Sequence, residues 1–437
     1  MSATAGIVSG HASAPAARDM PDALRVGLMA VVLVALWNRA WFTDLADRDL
    51  LSVAEGGNLW TQVLFLALGG VMGLAVLRLG AERLRPLASP PLLLFTGWLA
   101  VSTVLSTDLS LSVRRIALYA IVAFLAAGLL VVARSARQFA SALAIAAGII
   151  LAACYLGIAF APRLTIHSAY DVTNEYNHIG LWRGVFPHKN EAGAAMAMLV
   201  VCGLYVAAVR DRFLGWVIVA ASLVFLASTA SKTALAVLPV VFLVTNLCGY
   251  FRGGAMRGLM LLGPVAVMAV ATIGATLLPP VRAVLDLVLP DASFTARNEI
   301  WSFAIENIMQ HPVKGWGYGA FWLTDRTIYG SGSESDWVQT ATQAHNAYLD
   351  AALVMGLPGL LLTVVALMVA PVRDLQRAAG GKALDPPTLL FLRLWLLAIL
   401  TASFENSLFN ANSTTCGMAL LAIFGLRMRA VRRPVIA

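Results

Sequence analysis

Charge is scarce in this sequence. Only 12% of its 437 residues are Asp, Glu, Lys or Arg, against roughly 25% in a soluble globular domain. The deficit excludes a chain that must cover a water-facing surface with charge. Cysteine is scarce too: Cys154, Cys202, Cys248 and Cys416 stand singly inside apolar runs. That scatter has no metal-ligand spacing and leaves them as small core fillers. An internal repeat, the mark of many transporters, is also missing.

Apolar sequence is abundant. Hydrophobic residues make up 59% of the chain and the mean hydropathy is +0.79. A hydrocarbon core of about 30 Å takes about 20 apolar residues per helix, and runs of that order recur almost throughout. They predict an all-α polytopic membrane protein with about 12 transmembrane helices, near 24–42, 59–79, 90–106, 113–133, 138–160, 188–208, 213–230, 232–250, 257–278, 347–370, 388–405 and 411–430. The net charge of +8 would suggest nucleic acid in a soluble protein. Here it comes from Arg-rich loops, so the expected partner is the lipid bilayer and not nucleic acid.

Those loops set the orientation. Arg83 and Arg85, Arg134 and Arg137, Arg210 and Arg212, Arg252 and Arg257, and Arg373, Arg377 and Lys382 occupy alternate short connections. Positive residues mark the cytoplasmic side, which predicts cytoplasmic termini. The first apolar run reads as an uncleaved helix instead of a secretory signal. The chain then divides into a disordered tail (1–22), a transmembrane bundle (23–278), a large extracytoplasmic loop (279–346), C-terminal transmembrane helices (347–430) and a short tail (431–437). Within the large loop, Phe294–Gln310 reads as a helix, with Ile300, Trp301, Ala304, Ile305 and Ile308 in one apolar stripe.

Polar segments gather at the predicted extracytoplasmic ends: Arg183-Gly-Val-Phe-Pro-His-Lys-Asn-Glu191, Ser228-Thr-Ala-Ser-Lys-Thr233, Arg297-Asn-Glu-Ile-Trp301, His311-Pro-Val-Lys-Gly-Trp-Gly-Tyr-Gly319 and His345-Asn-Ala-Tyr-Leu-Asp350. Each residue has a bland reading. Lys232 and the pair Arg114 and Arg115 sit where side chains snorkel. Arg297 has the position of a helix-end ion pair, and His345 that of an interfacial imidazole. Arg183, His188, Lys189 and Asn190 suit either a phosphate or sugar contact or the internal support of a loop. Trp316, Tyr318 and Trp322 suit either sugar stacking or the interfacial aromatic belt. Asp350, one turn beyond His345 and Asn346, and Glu405, at the end of an apolar run, are second-rank carboxylates. Gly317-Tyr-Gly319 lacks the Thr-Val of a potassium filter. In Asp47-Arg48-Asp49 an Arg separates the acids and argues against a divalent ion.

This ordered set resembles the O-antigen ligase and polymerase superfamily. Arg297, His311-Pro, the Gly-rich turn, His345-Asn and Gly356-Leu-Pro-Gly359 carry the shared core. Phe186-Pro-His-Lys-Asn190 and Ser231-Lys-Thr233 resemble the exopolysaccharide polymerase branch. The resemblance implies a multi-helix glycosyltransferase of the bacterial inner membrane with an extracytoplasmic site, acting on oligosaccharides carried by undecaprenyl diphosphate. It brings Lys232, Arg297 and His345 forward as catalytic residues. Arg183, His188, Lys189, Asn190, Asn346, Trp316, Tyr318, Asp350 and Glu405 follow as substrate contacts. With cations supplied by side chains, neither metal nor cofactor is expected. A flippase and a chain-length regulator are the implied companions. Two other readings stand beside the polymerase: a ligase passing finished chains to lipid A–core or protein, and a transporter of lipid-linked oligosaccharide.

Overall fold

The computed structural model describes residues 20–37, 59–169, 178–251, 253–288, 295–322, 324, 338, 341–380 and 383–431. Asp47 and Asp49, the ends of both predicted tails and the whole stretch 325–337 lie outside these described residues. Among the described residues the fold is helical throughout, apart from one isolated bridge between Ile166 and Trp182.

A helix occupies each apolar run. In chain order these are α1 (Asp22–Trp37), α2 (Leu59–Leu79), α3 (Pro90–Val104), α4 (Leu109–Val132), α5 (Ala136–Phe160), α6 (Lys189–Val209), α7 (Arg212–Thr229), α8 (Lys232–Leu247) and α9 (Gly254–Leu277). Two helices, α10 (Pro279–Val288) and α11 (Thr295–Gln310), fall in the segment predicted as the large loop. The C-terminal set is α12 (Ala347–Ala379), α13 (Pro386–Thr401) and α14 (Thr414–Ala430). By length and apolarity seven of these helices can cross a membrane, or eight if the bent pair Ala81–Leu87 and α3 forms one span; α8 and α13 are shorter apolar helices. The chain is thus a polytopic helical membrane protein.

Local chemistry sets the helix ends. Asp108, Ser135, Asp211, Asp385 and Ser413 each accept a backbone N–H from the first turn that follows. Each cap satisfies an amide that the helix itself leaves orphaned. The buried Arg25 serves the opposite end, donating to Val132 O at the close of α4 (2.9 Å). The most enclosed helices are α6, α13 and α14, whose Ala, Gly and Leu faces fill the centre of the bundle.

The break in α12 organises the site. At Gly356 the backbone turns to φ 70°, ψ −179°, outside the helical region. Carbonyls freed in an apolar core must find donors, and these do. Leu353 O accepts from Trp316 N (2.9 Å) and Val354 O from Gly317 N (3.0 Å). Val354 O also takes Ser102 Oγ (2.7 Å), and Met355 O takes Trp98 Nε1 (2.8 Å). In return Leu357 N donates to Pro312 O (2.7 Å). The Gly-rich turn 311–319 is therefore the plug of a broken helix. A Cβ on Gly356 would lie 2.1 Å from Val313 O at a positive φ. Gly356→Ala is expected to lower stability by at least about 1–3 kcal/mol from backbone strain alone, with steric overlap added. Thermal unfolding of the purified protein in detergent checks this, and a wild-type Tm would contradict it.

Candidate functional site

The site forms where α6, α11, α12 and the connection between α13 and α14 meet. Its centre is Glu405, four residues beyond the end of α13. One carboxylate oxygen receives Arg297 Nη2 (3.3 Å) and Asn190 Nδ2 (3.3 Å). The other receives His345 Nδ1 (3.0 Å) and Gln343 Nε2 (3.4 Å). Burial alone would raise the Glu405 carboxyl. The hydrogen bond from His345 and the charges of His345 and Arg297 outweigh it and hold the group at about 2. Glu405 is thus ionised at any physiological pH.

Each partner is delivered by local structure. Arg297 lies in the first turn of α11, whose stripe of Ile300, Trp301, Ala304 and Ile308 is buried with Phe321, Trp322 and Leu353 in a second apolar cluster. Trp301 Nε1 donates to Ala344 O (2.9 Å), which ties α11 to the residue before His345. Arg297 Nη1 also donates to Phe404 O (3.0 Å). Its Nε–H and the remaining Nη protons make no hydrogen bond among the described residues, and its side chain is 26% exposed.

His345 sits just before α12 with φ 49°, one of two non-glycine residues in the left-handed region among the described residues. An ionised carboxylate only accepts, so Nδ1 carries the proton toward Glu405. In the neutral imidazole, as opposed to the charged form that lowers Glu405, that leaves Nε2 with the free lone pair of a base oriented by a carboxylate.

Lys232 opens α8 and its side chain is exposed, with no hydrogen bond or ion pair among the described residues. Its neighbour Ser231 packs where a Cβ of Gly193 would stand, 2.5 Å away. Gly193 is three residues beyond Asn190, so Lys232 lies at the same end of the bundle as the cluster. It does not touch it.

Several expected substrate contacts prove to be internal supports, because their polar atoms are already spent. Asn346 is fully buried: its Oδ1 caps α12 by accepting Tyr348 N and Leu349 N, and its Nδ2 donates to Ser403 O. Asp350 is 1% exposed. Trp316 and Tyr318 are each 3% exposed, and they donate to Asn307 O and Phe409 O. No face of either ring is left for a sugar. Arg183 is buried and donates from Nε to Leu164 O (3.1 Å), within the loop it was expected to project from. Arg115 Nη1 donates to Gly319 O and so braces the Gly-rich turn.

His188 caps α6 by accepting Asn190 N at Nδ1 (3.2 Å). His167 Nε2 accepts Lys189 N (3.1 Å) beside it. With His178 these rings stand 5.2–5.7 Å apart between centroids. Two of the imidazoles thus spend a lone pair on a backbone amide, and the other nitrogen of each carries a proton, which suits no metal ion. Among the described residues no group of His, Cys, Asp or Glu is arranged to hold a metal.

Burial, and then His167, push the His188 imidazole from 6.5 down to about 3. The unfolded chain then holds a proton that the folded chain lacks between those values. Stability from His188 is expected in full above about pH 6.5 and to fall as the pH drops toward 3. Tm measured at pH 7 and pH 5 should show the loss, and His188→Asn, which keeps a cap without the titration, should flatten it. An equal slope in the variant would refute the assignment.

Glu405 was visible in the sequence only as a carboxylate closing an apolar run. Gln343 had no signal: nothing marks a glutamine two residues before a histidine. It donates to Glu405 and accepts Asn406 N through Oε1 (3.1 Å).

Residues 216–364, about a third of the chain, match the family model described as O-antigen ligase. No curated protein matches the chain.

Proposed function

From membership of the O-antigen ligase and polymerase superfamily, which residues 216–364 support, we propose that this chain is a glycosyltransferase that draws its donor from a lipid diphosphate. Members of that family are glycosyltransferase-like enzymes. The observation that carries the reading is the meeting of Arg297, His345 and Asn190 on the single carboxylate of Glu405.

The chemistry follows from the groups. An acceptor hydroxyl attacks C1 of the donor sugar, and the bond from C1 to the diphosphate oxygen breaks with inversion. The hydroxyl proton passes to His345 Nε2. Negative charge grows on the departing lipid diphosphate, where a preorganised cation stabilises the transition state. Arg297 offers a planar fork to phosphate oxygens, and Lys232 a point charge. Side-chain cations take the place of a metal in this scheme, so transfer should persist in chelator. The remaining helices complete a bundle of about 12 spans in the bacterial inner membrane. The site faces away from the cytoplasm and both termini face it.

The acceptor is proposed to be a second lipid-linked repeat unit, which makes the enzyme a polymerase of undecaprenyl-diphosphate-linked oligosaccharide. Such an enzyme would work with a flippase and a chain-length regulator. The family match, described as O-antigen ligase, fits a second reading equally well, a ligase that transfers finished chains to lipid A–core or protein. A deletion strain distinguishes them: single lipid-linked repeats accumulate without a polymerase, and full-length lipid-linked chains without a ligase. Purified protein that lengthens lipid-linked oligosaccharide in detergent, with no ion gradient, supports the enzyme. Gradient-dependent translocation without transfer would overturn it in favour of a transporter.

Lys232→Ala is expected to lower the transfer rate by about tenfold or more, the scale of losing one charge-assisted contact to phosphate. Lys232→Arg should retain most of it. Equal rates in wild type and Lys232→Ala would remove Lys232 from the site.

A further inference from the structure

A carboxylate buried in an apolar cluster needs a reason, and Asp350 has a specific one. It lies in the first turn of α12, 1% exposed. Its Oδ1 accepts Trp322 Nε1 (2.7 Å). Ala344 N approaches both oxygens, at 3.3 and 3.2 Å. The fixed object is therefore the peptide one residue before His345.

Both peptide groups of Ala344 are held. Ala344 N is tied to Asp350, and Ala344 O accepts Trp301 Nε1. Just after His345, Asn346 caps α12 and bonds Ser403 O. Between these anchors His345 adopts φ 49°, a conformation that a residue with a Cβ keeps only when its surroundings enforce it. The same conformation sets Nδ1 at 3.0 Å from Glu405. Trp322 belongs to the apolar cluster built on α11, so the clamp also joins the helix that carries Arg297 to the turn that carries His345.

We propose that Asp350 is a positioning residue for the transfer reaction. Through Ala344 N–H and Trp322 it holds His345 in the left-handed conformation that seats the imidazole on Glu405. This rests on the reading of His345 as the base. Asp350 itself touches no substrate.

The test uses the full-length protein in detergent with two readouts. One is the kinetics of transfer. The other is the rate at which diethyl pyrocarbonate acylates His345, followed by peptide mass spectrometry, which needs no activity. Asp350→Ala is expected to lower kcat by about 10²-fold, the cost of misplacing a reacting group by about 1 Å. The donor KM should stay unchanged, and His345 should be acylated faster once it leaves Glu405. Asp350→Asn keeps one oxygen that can accept both Trp322 and Ala344, and should recover most of the rate and the slow acylation. Should Asp350→Ala fail to accumulate, Trp322→Phe carries the same readouts, with smaller changes in the same direction.

Wild-type acylation of His345 in Asp350→Ala overturns the positioning, and so does a loss confined to KM. A His345→Ala variant separates the two failures. Full activity there refutes the base, whereas the acylation rate in Asp350→Ala decides the positioning whatever the assay gives.

Discussion

A His345→Ala variant is expected to accumulate at wild-type abundance and to transfer no detectable sugar. General base catalysis contributes about 10²–10⁴ in rate, and among the described residues no other imidazole is hydrogen-bonded to Glu405. The rings of His167, His178 and His188 cluster together, and the two that cap the start of α6 spend a lone pair on its amides. Abundance should hold, because the His345 side chain is 31% exposed and its one short polar contact is to Glu405. In cells the expected sign is undiminished protein with donor left unconsumed. Normal chain length would refute the assignment. A variant that failed to insert would show that the left-handed turn depends on the imidazole, and would be followed by His345→Asn, since Asn tolerates positive φ.

Arg297→Ala is expected to cost about 10²–10³ in kcat, the usual penalty for removing one preorganised donor to developing charge. Arg297→Lys should recover little, because an ammonium cannot span Phe404 O, Glu405 and a phosphate as the guanidinium fork does. A rival account gives Arg297 only the task of neutralising Glu405, to which it donates at 3.3 Å. The double variant Arg297→Met with Glu405→Gln decides between them. If neutralisation were the whole role, removing both charges would restore transfer to the level of Glu405→Gln alone, in which an amide oxygen still accepts from His345. If the guanidinium grips the leaving diphosphate, the double variant stays as inactive as Arg297→Ala. Restored transfer would take Arg297 out of the chemistry.

The helices were legible because apolar runs of fixed length are a one-dimensional signal. The predicted run 138–160 became Ala136–Phe160, and Phe294–Gln310 became Thr295–Gln310. The number of spans was less legible. Several helices have 15–17 residues, short of the roughly 20 that cross a bilayer upright, and seven or eight meet the length and apolarity of a span. At the site, Arg297, His345 and Glu405 stood out as polar groups in an apolar chain, and the structure brings the three together. Trp316, Tyr318, Asn346 and Asp350 look like substrate contacts in the sequence, whereas the structure has them buried and bonded to protein groups. An aromatic ring or an amide looks the same in a sequence whether it faces a cavity or a backbone carbonyl. Only packing tells them apart, and here the break at Gly356 drew the Gly-rich turn inward. The proline and glycines of 356–359 were visible as a motif. Their part in opening a helix depends on partners some forty residues upstream.

Asn190, Arg297, His345 and Glu405 come from four remote stretches of chain, and two of the four lie outside residues 216–364. That segment, cut out and expressed alone, would carry His345 and Arg297 without the carboxylate that both of them bond. The same holds during synthesis. Until position 405 has been made, His345 lacks the carboxylate it bonds and Arg297 its counter-charge, so the proposed site stays incomplete in an unfinished chain.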